Sequence, residues 1–289
     1  MSKIPSPAKL ISHFRPLQAY QHLKVLRMLK KSKIPLKLWH QVESQMPMMR
    51  RYNSRERTRL RLLASEIFYR KTISPAQGMV LTDEIKVTLC AQAAILIFGL
   101  EDPEQDPNLE WFRNWHEIVV YPTPFRNTKQ IAFNSEGWLV SWAGIEAGET
   151  QYQGPVIVDW SSDKPHPLRG RANQVLMHEL SHKLDMLDGN TNGHPPLHAN
   201  MSEKAWYEAF EPAYEKLKAA AEHGRQTAIN PYAATNPAEF FAVTTEYFFE
   251  APQVLHRTYP KVYQQMKLFY RQDPLARDKA LHQRQKRRH

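Results

Sequence analysis

The sequence predicts an α+β fold, mostly helical, with a small sheet set between two helical stretches. Two rhythms carry that expectation. Apolar residues recur three and four apart before residue 100 and again after Gly170, the period of helices with one buried face. Between residues 111 and 160 they gather into short β-branched and aromatic runs parted by Gly, Pro and Asn. Size agrees: 289 residues, 42% hydrophobic and 24% charged, suffice for a real core. That composition excludes a disordered chain, a collagen and a disulfide scaffold.

The elements follow in order. Residues 1–34 are expected to be a basic N-terminal extension. They carry one amphipathic stripe of Leu17, Tyr20, Leu23, Leu26 and Leu29, interleaved with Lys24, Arg27, Lys30, Lys31 and Lys33. Such a stripe either docks on the rest of the protein or meets a membrane surface. A helix begins at a cap on Asn53 or Ser54 and buries Leu60, Leu63, Ile67 and Phe68. Another runs from Asp83 through Leu89, Ala93, Ile97 and Phe98, and Gly99 ends it. Three or four strands are expected among residues 117–121, 130–133, 138–142 and 155–160. Further helices are expected at 172–187, 202–223, 237–250 and 253–272. Residues 35–276 then form one domain and residues 277–289 a basic C-terminal tail, of which Arg284 to His289 are expected to fray. There is no internal repeat and no Gly-rich phosphate loop.

The net charge of +10 is unevenly spread. Residues 1–80 hold 17 Lys and Arg against 3 acids, and residues 271–289 hold 7 against 2. The body between them holds 15 against 24 and is acidic. No recognition motif accompanies the basic ends, so they are read as solvated arms rather than as a direct nucleic-acid contact. A single cysteine, Cys90, cannot form an internal disulfide and fits a reducing compartment. The longest apolar stretch, Ala93 to Leu100, is too short to span a bilayer. Pro5, Pro7, His13, Arg15 and Pro16 interrupt any secretory apolar region. A cytoplasmic, soluble protein is expected.

The strongest chemical signal is His178-Glu179-Leu-Ser-His182-Lys-Leu-Asp185. On a helix, residues four apart share a face, so both imidazoles can meet one ion. Glu179 stands beside them, placed to hold a water without being a ligand. This is the H-E-x-x-H arrangement of zinc peptidases, in which zinc lowers the pKa of its water toward neutrality. Leu176, Leu180, Leu184 and Leu187 lie on other faces and would bury the helix.

Catalytic zinc usually takes three protein ligands. A metzincin would place Gly and His where Asp185 and Asp188 stand, so that pattern fails. Without Gly at 185 the helix is expected to continue and carry the Asp188 carboxylate away. A better source lies around Asn236-Pro237, which reads as a helix cap and first residue. Glu239 and Glu246 then share one face, seven apart, with Glu246 and Asp185 as residues that could support a ligand from behind. On spacing alone Glu239 can be a ligand or the partner of the Asn236 cap. Tyr232 can be packing or a hydrogen-bond donor to an oxyanion.

These residues resemble a known family. The motif from His178 to Asp185, together with Tyr232-Ala-Ala-Thr-Asn-Pro-Ala-Glu-Phe-Phe-Ala-Val-Thr-Thr-Glu-Tyr-Phe-Phe249, is similar to the Mlc titration factor A family of bacterial zinc peptidases. Its catalytic core is similar to that of anthrax lethal factor. The likeness extends to residues 115–125, 153–160 and 269–275, and so covers roughly 35–276. The resemblance implies a zincin-like metallopeptidase fold with His178, His182 and Glu239 as ligands of one Zn²⁺ per chain. It implies Glu179 as general base, Tyr232 as oxyanion donor, an aminopeptidase-like action on peptides and, in some members, binding to the glucose repressor Mlc. Some members carry a further His upstream of the motif; residues 138–145 here contain none. The rival expectation is a non-catalytic anti-repressor that sequesters a transcription factor, with zinc serving the fold.

Overall fold

The computed structural model describes residues 34–102, 108–122, 153–160 and 175–286. The chain starts with α1 (Leu36–Gln45), which buries Trp39 and Val42, and a 3-10 turn at Pro47–Arg51. Helix α2 (Ser54–Arg70) opens with a capping box. Asn53 Oδ1 accepts the Glu56 N–H at 3.0 Å, and the Asn53 N–H donates to Glu56 Oε2 at 2.8 Å. Strand β1 (Thr72–Pro75) follows, then α3 (Asp83–Ile97), capped by Thr82. Helix α3 is buried on nearly every face. A Cβ on Gly99 would lie 2.2 Å from the Tyr270 carbonyl oxygen, which is why a glycine closes this helix.

Strands β2 (Glu117–Tyr121) and β3 (Val156–Asp159) complete a three-stranded sheet in the order β1-β2-β3, parallel throughout. Thr72 pairs with Glu117, and Ile118 with Val156. The β1–β2 connection passes through α3, the crossover that parallel strands require. Ile118, Val120, Val156 and Val158 point into the core. The strands expected at 117–121 and 155–160 are present, and the sequence reading missed β1. Those expected at 130–133 and 138–142, like the stripe from Leu17 to Leu29, lie outside the described residues.

Helix α4 (Val175–Asp185) packs against β3, α3 and the helix at Pro237–Glu250. A 3-10 turn at Met186–Asp188 ends at Gly189. Then come α5 (Glu203–Glu222), a 3-10 turn at Pro231–Ala234, and α6 (Pro237–Glu250). The helix expected over 253–272 is two, α7 (Pro252–Thr258) and α8 (Pro260–Tyr270). Pro260 has no N–H to continue α7, and it holds Tyr259 out of the helical region at φ −135° and ψ 72°.

Helix α9 (Pro274–Lys286) runs through the boundary expected at residue 277. Arg51 Nε meets Asp278 at 2.7 Å, and Arg277 reaches Glu56 at 2.8 Å while lying over the Tyr52 ring. Aromatic packing joins α5, α6 and α8: Trp206 stacks on Phe210 at 4.1 Å, and Phe240, Phe241, Phe269 and Tyr270 are buried around them. Among the described residues no helix is long and apolar enough to cross a membrane.

Candidate metal centre

Helix α4 carries His178 and His182 one turn apart, on the face turned toward α6. Their Nε2 atoms lie 3.2 Å from each other. Helix α6 supplies Glu239 from its first turn, with Oε2 3.0 Å from His178 Nε2 and Oε1 3.6 Å from His182 Nε2. Ligand atoms of the three side chains fall within 4.8 Å of one another.

Asn236 caps α6 by accepting the Glu239 backbone N–H at 2.9 Å. The Glu239 carboxylate points to the imidazoles. Backbone capping and a side-chain ligand are thus compatible at one residue, and the spacing had not separated them.

The far nitrogen of His178 fixes its tautomer. Nδ1 lies 2.7 Å from Glu246 Oε1, and a carboxylate only accepts, so Nδ1 carries a proton and the neutral ring has its lone pair at Nε2. Burial alone would lower the His178 imidazole; with no cation between them, the Glu239 and Glu246 carboxylates, with Glu179 nearby, raise it to about 10, so the ring takes a second proton at Nε2, which a metal ion would displace. For Glu239 burial works upward, and the two histidines overcome it and hold the carboxyl well below its usual range. Two imidazole nitrogens and a carboxylate therefore converge where a positive charge is favoured, and that donor set suits Zn²⁺.

The other expected site residues are placed as follows. Glu179 is half-buried on α4 beside His178. Tyr232 sits in the turn before α6, partly exposed, its ring centroid 6.1 Å from that of His178. Asp185 is fully buried at the end of α4, and its Oδ2 accepts the Gly193 N–H at 2.8 Å. Burial pushes its carboxyl up to about 6 against that hydrogen bond. Asp188 is exposed beyond the helix and accepts the Asn190 N–H.

Two supports gave no sequence signal. Lys183 Nζ donates to the Gly154 carbonyl at 2.9 Å, tying α4 to the approach of β3. The Tyr270 hydroxyl is hydrogen bonded to Thr245 at 2.8 Å and to Ser181, joining α8 to α6 and α4 in the core.

The model of the glucose-regulated metallo-peptidase M90 family matches residues 20–271. Proteins called Mlc titration factor A from Yersinia pestis (strain Pestoides F) and Yersinia pseudotuberculosis (serotype O:1b) are 33% identical over 244 residues. Each alignment covers 83% of this chain and 86% of the relative.

Proposed function

This chain belongs to the glucose-regulated metallo-peptidase M90 family, and from that membership we propose that it is a zinc-dependent peptidase of the aminopeptidase kind, holding one Zn²⁺ per chain and working in the cytoplasm. The observation that carries the reading is the His178 Nδ1 bond to Glu246, which turns Nε2 toward His182 and Glu239. Bound there, zinc supplies Lewis acidity toward a water molecule and a peptide carbonyl. Glu179 takes the proton of the attacking water and delivers it to the departing amine. Tyr232 donates its phenol hydrogen to the developing oxyanion. An extended peptide adds to the sheet at β3, last in the strand order among the described residues, through backbone bonds that tolerate many sequences.

A second reading draws on the name of the relatives. In it the chain binds the repressor Mlc and zinc only organises the fold. Structural zinc ordinarily has four protein ligands, whereas three converge among the described residues, with Glu179 beside them. Both activities can share one chain.

The test is metal analysis and peptide hydrolysis by the full chain, Glu179→Gln and Tyr232→Phe. Near-stoichiometric zinc is expected in all three. Turnover should fall on the order of 10²-fold or more in Glu179→Gln, and Tyr232→Phe should bind substrate but lose turnover. Equal, chelator-insensitive hydrolysis in the parent and Glu179→Gln would exclude the mechanism.

A further inference from the structure

We infer that Gly193 and Asp185 are positioning residues that set the distance between α4 and the first turn of α6, and so place Glu239 against the two imidazoles; the inference rests on the metal site proposed above. Gly193 lies in the loop between α4 and α5, buried, with φ +76°. Both of its backbone polar groups are held. Its N–H donates to Asp185 Oδ2 at 2.8 Å, and its carbonyl accepts the Trp206 indole N–H at 3.3 Å. Asp185 is the last residue of α4, three after His182, and Trp206 belongs to α5.

The remaining side of Gly193 faces α6. A Cβ there would lie 2.3 Å from the Pro237 carbonyl oxygen, 2.7 Å from its carbon and 3.3 Å from the Ala238 nitrogen. Pro237 and Ala238 are the two residues before Glu239. The loop therefore acts as a spacer: α4 holds it by a carboxylate, and the start of α6 rests on its bare Cα. A side chain at 193 must move this turn by roughly 1 Å to reach ordinary van der Waals contact. Ligand distances tolerate only about 0.2 Å, so Glu239 would leave the imidazoles.

Gly189 provides an internal control. It lies in the same loop with φ +95°, yet a Cβ there meets nothing within 4 Å. Alanine at either position carries the backbone strain of a left-handed conformation. Only alanine at 193 collides with α6.

The experiment uses the full chain and its Gly193→Ala, Gly189→Ala, Asp185→Asn and Asp185→Ala variants. Zinc affinity is measured by chelator competition, the electronic absorption of each Co²⁺-loaded protein is recorded, and melting is followed without metal. Both glycine variants should melt earlier. Gly193→Ala alone should lose zinc affinity, about 10- to 100-fold, and alter the Co²⁺ spectrum. Asp185→Asn keeps an acceptor for the Gly193 N–H and should stay within a few-fold of the parent, whereas Asp185→Ala should follow Gly193→Ala; this pair decides the matter even if Gly193→Ala does not fold. Equal affinities in the two glycine variants, or in the two Asp185 variants, overturn the spacer. A parent that binds no zinc overturns the metal site itself.

Discussion

The two ends of α6 address the same imidazole from opposite sides. Glu239, in the first turn, meets the Nε2 side of His178 next to the partly exposed Tyr232. Glu246, two turns on, meets Nδ1 within the core and is 7% exposed. The residue type, helix and helix face are the same, yet the partners differ. Glu246 faces an N–H and completes a hydrogen bond. Glu239 faces the Nε2 atoms of both histidines, the nitrogens that would turn to an ion. The role of a carboxylate here follows from which nitrogen it reaches, which its place in the seven-residue repeat does not specify.

Three substitutions can break or sharpen this contrast. The largest effect is expected for Glu239→Ala, which removes a proposed ligand and should retain no zinc through chromatography, with its fold preserved by circular dichroism. Glu246→Ala comes next. It frees the His178 ring to rotate and change tautomer, and should keep a full zinc equivalent with affinity about 10- to 100-fold weaker by chelator competition. The reverse pattern would exchange the two roles.

The smallest effect concerns Glu250, one turn beyond Glu246. Burial, and after it the Glu246 charge, push its carboxyl from an ordinary 4.5 up to about 8. Between those values the folded protein binds a proton that the unfolded chain releases, so this group makes stability fall as pH rises from 4.5 to 8. Glu250→Gln should accordingly match the parent near pH 5 and melt higher at pH 8. A parent-minus-variant difference that does not change with pH would show that the Glu250 carboxyl is not raised.

Much of this was legible from local rules. The Asn53 and Asn236 caps, the apolar period of α3, the β-branched runs of β2 and β3, and the two histidines one turn apart all rest on neighbours in sequence. The misses have physical causes. Strand β1 is four residues long and ends in proline, too short for an alternation to show. The break at Pro260 did have a signal in the ring that follows Tyr259. So did α9, where Asp273 accepts the Ala276 N–H just before Pro274, and the basic character of residues 277–289 concealed it. The choice between ligand and cap at Glu239, and the approach of Gly193 to Pro237, depend on how α4 and α6 pack. No spacing along the chain contains that distance.

The central claim is that His178, His182 and Glu239 together hold one zinc ion. X-ray absorption at the zinc edge of the zinc-loaded full chain tests it most directly. The account predicts two imidazole nitrogens at about 2.0–2.1 Å, the rest of the shell oxygen at about 2.0–2.2 Å, and no sulfur. A sulfur shell near 2.3 Å, or an imidazole count of one, three or four, would contradict it.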